Sequence, residues 1–393
     1  RSPLSSSSAA SDVYKRQCLI GMTLAHAQTY TIYPIPQQTT EGSGTVELTP
    51  TINVVCGSGI GRVTKDRIQE VLEGAGYTFQ LSESASSELT NLYVGVAGSG
   101  DVADAYATSR GVSKEVFTEA PNRFDAHVMQ IADGNIVVLG NGERSEYYAF
   151  ATLEQILEQA AGTALHEVTY EDYSHCQWRG AIEGFYGNPY SVDAHCSLFE
   201  FFKRFKMNVF IYAPKMDPYH LGYWTEEYPT EITEEQRRMG WITQDDVRRM
   251  AETARACNVH FVWAAHPGLA PGGQVSMDFS STATVDEGVE LLMQKYHHMY
   301  DLGVRAFSVC IDDMDRNPSA QMQAHLPDQT QKRLKEEFPS QAEDEKIAPL
   351  FYVPATYALM YQGAASYMTQ MASVDKDVVI GFTGYAVCGD LDK

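Results

Sequence analysis

A chain of 393 residues is long enough for about two domains of ordinary size. With 44% hydrophobic and 20% charged residues it has the composition of a soluble globular protein. Its 51 acidic and 29 basic residues give a net charge of −22, which would repel a nucleic-acid backbone or an anionic membrane surface. No apolar run reaches the roughly 18 residues of a membrane helix. Seven cysteines (18, 56, 176, 196, 257, 310 and 388) form no CxxC pair, which argues against a zinc ribbon or a thioredoxin-type site.

Residues 1–17, RSPLSSSSAASDVYKRQ, are Ser-rich and polar and read as a non-native or artefactual tail. Residues 18–27, CLIGMTLAHA, read as a signal-peptide remnant, with Ala25-His26-Ala27 as a small-x-small cleavage site. Export to a periplasmic or extracellular location is therefore expected.

Residues 28–175 form a first module. Strand-like runs at 52–56, 91–96, 127–131 and 136–139 alternate with helical patterns at 64–74 and 147–160. Asp133-Gly134 between two β-rich runs is a hairpin signal. The module has no concentration of acids, histidines or nucleophiles, so a supporting α/β domain is expected.

From Trp178 the pattern becomes strand-then-helix. Strands are expected at 179–183, 208–212, 260–264, 305–311, 350–353 and 378–382. Helices are expected at 193–205, 244–257, 285–302, 329–338 and 361–373. Such alternation implies parallel strands with crossover helices. Polar and aromatic residues crowd the strand ends: Glu183-Gly184-Phe185-Tyr186-Gly187, Lys215 to His220, His266-Pro267-Gly268, Asp312-Asp313, Tyr357, and Thr383-Gly384-Tyr385. A (β/α)8 barrel builds its active site at those ends. Six units are present where a full barrel takes eight over about 250 residues, so the fold expected is a TIM-type barrel whose C-terminal part is truncated, with residues 176–393 an incomplete catalytic domain.

The apolar run 306–311 ends in Asp312 and Asp313. Adjacent carboxylates repel, so one can stay ionised while the other carries a proton, which suits acid/base work on a C–O bond. Side chains alternate along a strand, so both can reach one substrate only if the chain turns at Asp313. A solvated acidic turn is the plain alternative. Asp312, Asp313 and Asp315 could also chelate a divalent cation, though no partner cluster accompanies them. Gly184 suits close backbone approach to a ligand or a tight turn. Lys215 could donate to a hydroxyl or be an ordinary surface lysine. Tyr219, Trp224 and Tyr228 suit either the apolar face of a sugar or loop packing. His220, His266, His297 and His298 lack metal-ligand spacing.

Taken together, RGAIEGFYGNPYS, FKRFKMNVFIYAPKMDPYH, VHFVWAAHPGL and LGVRAFSVCIDDMD, in this order, resemble glycoside hydrolase family 84, which groups bacterial β-N-acetylglucosaminidases, O-GlcNAcases and hyaluronidase-type enzymes. LFYVPATY and FTG extend the match faintly. YPIPQQ (33–38) and GNGERSEYYAFATLEQIL (140–157) make the first module similar to the accessory domain that precedes the barrel in hexosaminidase and glucuronidase families. The resemblance implies a retaining β-N-acetylglucosaminidase that uses the substrate's own 2-acetamido group and an oxazoline intermediate, an exception to the two-carboxylate retaining scheme. It implies that Asp312 orients and polarises the acetamido group and that Asp313 is the general acid/base. Gly184, through its carbonyl, and Lys215 would hold sugar hydroxyls, and Tyr357 would lie near the acetamido pocket. It implies no metal or organic cofactor, and a GlcNAc-containing glycan or glycoprotein as partner, with neither nucleic acid nor membrane insertion.

Three positions depart from the family pattern: Met216 replaces a second acid after the lysine, PATY replaces PTEY, and Phe382 replaces a tryptophan before Thr383-Gly384. Met216 and the missing strands motivate one alternative, a carbohydrate-binding pseudoenzyme. The aspartate cluster motivates another, a metal-dependent hydrolase or lyase.

Overall fold

The computed structural model describes residues 29–118, 122–142, 144–160, 162–269, 276–339 and 345–386. The expected tail at 1–17, the signal-peptide remnant at 18–27, Cys18 and Cys388 lie outside the described residues. The chain divides into two compact units between His175 and Cys176.

The first unit contains β1 (Gln38–Glu47), β2 (Thr51–Cys56), α1 (Arg62–Gly74), β3 (Thr78–Ser82), β4 (Asn91–Val96), α2 (Val102–Ser109), β5 (Phe124–Ala132), β6 (Asn135–Gly140), α3 (Ala149–Gln159) and β7 (Ala164–Ser174). Its seven-stranded sheet has the order β1-β7-β5-β6-β4-β2-β3. The β6, β4, β2 and β3 strands run parallel, and β1, β7 and β5 complete the sheet with antiparallel pairings. Asp133 and Gly134 make the β5–β6 hairpin turn with φ of 52° and 77°, the left-handed pair that a two-residue turn matching strand twist needs. Adjacent residues of β2 face opposite layers. Val54 packs with Ile68 and Leu72 of α1 and Ile156 of α3, and Val55 packs with Ala103 and Ala107 of α2. Sequence patterning missed β1, β3 and β7. The first is polar with two glycines, the second is a short edge strand, and β7 mixes charged and apolar residues on a half-exposed face.

The second unit contains β8 (Gly180–Glu183), α4 (Val192–Arg204), β9 (Val209–Tyr212), α5 (Glu234–Arg238), α6 (Gln244–Ala256), β10 (His260–Ala265), α7 (Thr282–Asp301), β11 (Ala306–Cys310), α8 (Ala320–Glu337), β12 (Phe351–Val353), α9 (Ala364–Met371) and β13 (Val379–Ile380). The six strands form one parallel sheet, each paired with its successor in chain order. That is the strand order of a (β/α) barrel, here with its first six units. The helices start where side chains cap them: Ser191 for α4, capping boxes at Thr243 for α6 and Ser281 for α7, and Ser319 for α8.

The sequence places the fourth crossover helix after Pro327, but α8 begins seven residues before that proline and runs through it. Met322, Leu326 and Leu334 are buried along one face, and Gln323 bridges the Pro318 carbonyl and Thr356. Tertiary burial outweighs the hydrogen bond the proline removes.

One face of the sheet packs on the helices through Phe210, Trp263, Phe307 and Tyr352, against Phe199, Met250, Leu292, Tyr296 and Leu334 among others. The other face carries a lower layer of Val209, Val262, Ala306 and Phe351, and an upper layer of Ala213, Ala264 and Cys310. Val209, Val262 and Phe351 thus supply most of the bulk low on the inner face. Small residues lie near the strand ends, directly below the polar residues.

Candidate active site

The site grows from the C-terminal ends of β8 to β12. β11 ends at Cys310, and Asp313 adopts φ 55° in the left-handed region. The chain therefore turns at Asp313, as the paired carboxylates require. Asp312 is largely buried and Asp313 is exposed.

The Lys215 ammonium lies 3.0 Å from Asp312 Oδ2, with the lysine side chain 2% exposed. His266 Nε2 lies 2.7 Å from the Asp312 carbonyl oxygen and 3.4 Å from its Oδ1. Burial alone would raise the Asp312 carboxyl. The hydrogen bond from His266 and the charge of Lys215 outweigh it and hold this group well below the ordinary carboxylate range. Asp313 Oδ2 instead accepts a hydrogen bond from the Tyr186 hydroxyl at 3.1 Å. Burial, and then the charges of Asp313 and Asp312, push the Tyr186 phenol up.

Lys215 is fixed by its loop. Its backbone N–H donates to the Phe185 carbonyl at 3.3 Å, and the Ala213 N–H donates to the Glu183 carbonyl at 3.0 Å. The Gly184 turn and the Lys215 turn are thereby stitched together. Gly184 itself does not have a positive φ, and a Cβ there would make only ordinary contact with Ile182. The left-handed glycine of this turn is Gly187, φ 121°. Gly184 thus satisfies no left-handed backbone requirement of its own.

Two residues beyond Lys215, Asp217 is fully buried and anchors the rest of the loop. It accepts from the hydroxyls of Tyr212 at 2.9 Å and Tyr228 at 2.6 Å and from the backbone N–H of Tyr219 at 2.9 Å. Trp263 Nε1 donates to the Tyr228 oxygen at 2.9 Å, and the Lys295 ammonium sits over the rings of Tyr219, Tyr228 and Trp263. Burial raises the Asp217 carboxyl, and these donors oppose it. Tyr219, Trp224 and Tyr228 are buried, so they are loop packing and not a sugar platform.

Beneath the first turn, His195 and Glu183 form a fully buried pair, and the Tyr190 N–H donates to Glu183 Oε1 at 2.8 Å. Tyr357 is half-buried, hydrogen-bonded to Tyr361, and within electrostatic reach of Asp313 and Asp312, which push its phenol upward after the Tyr361 bond and burial. Thr383, at the sixth strand's end, donates to the Tyr357 carbonyl at 2.9 Å.

The structure thus gathers Asp312, Asp313, Lys215 and Tyr357 around one centre, with Gly184 on the adjoining turn. In the sequence, His266 stands out only as a histidine without metal-ligand spacing and Tyr186 only as part of EGFYG. Both sit at strand ends beside the aspartates, and that position was the available signal. His297 pairs with Glu337 on the helix surface at 2.7 Å. Among the described residues no group of three or more His, Cys, Asp or Glu is placed to hold a metal ion. No helix among them is long and apolar enough to cross a membrane.

Comparison with known proteins follows this division. The family model described as beta-N-acetylglucosaminidase (NAGidase) matches residues 179–393. The one described as glycosyl hydrolase family 20, domain 2, matches residues 29–173. Protein O-GlcNAcase of Rattus norvegicus and of Mus musculus are each 29% identical over 141 residues, 36% of this chain and 13% of those proteins. The solved structure of CpGH84D is 31% identical with a TM-score of 0.78, covering 93% of this chain and 57% of that one. That of CpGH84B, 24% identical with a TM-score of 0.68 over 92% of this chain and 57% of that one, shares the fold. The chain thus spans a small part of the curated relatives and a little over half of the solved chains. Because the β-N-acetylglucosaminidase model takes in more than half of the sequence, every strand of the second sheet and both aspartates, the chain belongs to glycoside hydrolase family 84.

Proposed function

We propose that the chain carries the catalytic centre of a retaining β-N-acetylglucosaminidase that removes terminal β-linked GlcNAc from a glycan or glycoprotein. The observation that carries this reading is the asymmetry of the aspartate pair. Asp312 is held ionised by Lys215 and His266, and Asp313, turned away by its left-handed backbone, faces solvent beside Tyr186. In the first step the carbonyl oxygen of the 2-acetamido group attacks the anomeric carbon while the glycosidic C–O bond breaks. Asp313 gives its proton to the departing oxygen. Positive charge develops on the acetamido group as it becomes an oxazoline, and the Asp312 carboxylate stabilises it. In the second step Asp313, now a carboxylate, takes a proton from water as that water attacks the same carbon. The acetamido group is restored and the anomeric configuration retained. Lys215 and the Gly184 carbonyl hold sugar hydroxyls, and Tyr357 lines the acetamido side. The accessory unit has no role in the chemistry. The O-GlcNAcase relatives support a GlcNAc-modified protein among the substrates.

The test is Asp313→Asn in a version extended to eight strand–helix units, assayed on aryl β-GlcNAc substrates of graded leaving-group quality. The expected loss in kcat/KM is about 100- to 10,000-fold for poor leaving groups and much smaller for good ones. Equal losses across the series would remove Asp313 as the acid.

A further inference from the structure

Two turns meet behind Asp312. One is His266-Pro267-Gly268 after β10, the other Asp312-Asp313-Met314 after β11. The His266 ring is wholly buried, and its Nε2 lies 2.7 Å from the Asp312 carbonyl oxygen and 3.4 Å from its carboxylate. A carbonyl oxygen has no proton to give, so Nε2 must be the protonated nitrogen, and one N–H reaches both the backbone and the side chain of Asp312.

The ring cannot easily swing away. The His266 backbone N–H donates to the His220 carbonyl at 2.7 Å, and the His220 ring stands edge-on to it at 5.8 Å. His220 is itself tied to the Ala264 carbonyl through Nδ1 at 2.8 Å, and burial pushes it down to about 3, so it stays neutral at its neighbour's side. The second turn is keyed to the first by shape as well. A Cβ on Gly268 would come within 2.6 Å of Met314 Sδ, so a larger residue there would push the Met314 side chain out of its seat.

We propose that His266 is a positioning residue for Asp312, and that the His266-Pro267-Gly268 turn is the template which sets the direction of the acetamido-polarising carboxylate. The inference rests on the role given above to Asp312. Lys215 supplies Asp312 with charge, and His266 supplies it with place: a donor that grips the backbone carbonyl fixes where the carboxylate begins, whereas the Lys215 ammonium touches only the carboxylate end. Misplacement by about 1 Å in such a site costs on the order of 100-fold in rate.

The experiment is a double-mutant cycle in the extended protein, using an aryl β-GlcNAc with a good leaving group so that slow variants stay measurable. His266→Leu keeps the volume and removes the donor. It should lower kcat by about 10- to 100-fold with little change in KM, and His266→Gln, which can place an N–H near the same point, should regain most of that loss. In an Asp312→Asn background, His266→Leu should cost nothing further, since the residue through which it acts is already disabled. The same fold loss in both backgrounds, or no loss in either, overturns the inference. An Asp312→Asn variant as active as the parent would instead remove the role assigned to Asp312, so the two failures are told apart. Should His266→Leu not fold, Gly268→Ala and Gly268→Ala/Met314→Ala decide. A kcat that falls in the first and recovers in the second supports the template, and an unchanged kcat in the first overturns it.

Discussion

Asp312 and Asp313 are consecutive residues in contrasting surroundings, and the contrast comes from what each touches. Asp312 faces an ammonium and an imidazole N–H inside the fold, where screening is weak, and Asp313 faces a phenol at the surface. For Asp312 the folded-state pKa is depressed, so its contribution to stability is present above the unfolded value of about 4 and is lost as pH falls through the folded one. Loss of activity on the acid side should then come from groups other than Asp312. Lys215→Met removes one of the two opponents of burial, leaving His266. The Asp312 carboxyl should rise toward the ordinary carboxylate range, followed through its carboxyl carbon signal in an NMR pH titration. An Asp312 titration unmoved by the substitution would show that Lys215 does not control this group. Replacing Asp312 itself should slow good and poor leaving groups alike, because in the mechanism proposed above it acts on the acetamido side and not on the departing oxygen. Most of this was legible in IDDMD and APKMDPYH, where the residue types lie at strand ends. The contact of His266 was not, because it joins two loops 46 residues apart.

At the scale of elements, the sheet depends on a few positions where backbone meets backbone. Gly180 opens β8, and a Cβ there would collide with the carbonyl of Val209 in the neighbouring strand. The obstacle is main chain and cannot rotate away. Gly180→Ala is expected to destabilise the second unit by about 1–3 kcal/mol, read from urea unfolding. Because β8 leads into Glu183 and Gly184, it should also raise KM for the sugar more than it lowers kcat. A variant with parental stability and KM would show that β8 and β9 can separate without consequence. Helix α8 shows the opposite balance. Pro327 argues locally against it, yet buried Met322, Leu326 and Leu334 together with the Ser319 cap keep it continuous. Periodicity identified its second half, and only the packing of its first half against the sheet revealed the rest.

For the whole molecule, the second sheet ends in β8 on one side and β13 on the other. Among the described residues β8 and β13 each pair on one side only, and Ile182 of β8 is 51% exposed with Phe382, just beyond β13, at 36%. Parallel strands are normally covered on both faces and closed or capped at their edges. A version extended by two strand–helix units is expected to raise the calorimetric transition of the second unit. The scale is about 2–4 °C for each kcal/mol gained, with the transition of the first unit unmoved. A second-unit transition at the same temperature in both versions would argue that the six-stranded sheet is already complete in energetic terms.

What the sequence determined by itself was the kind and order of elements in the second unit, since each strand there is a short apolar run and each crossover helix has its own 3.6-residue period. It also placed the aspartates at the end of the fourth of these strands. Tertiary structure alone decided which strand ends converge, because Lys215, His266 and Asp312 meet through the parallel pairing of β9, β10 and β11. It decided the edges of the first sheet as well. The polar edge strand β1 carries little intrinsic preference there and is held by β7, more than a hundred residues away in sequence, with Glu167 of β7 also reaching the N–H of Gly44. Local preference is written in neighbouring residues, whereas the electrostatics that keep Asp312 ionised arise only when distant loops are brought within 3 Å or so of one another.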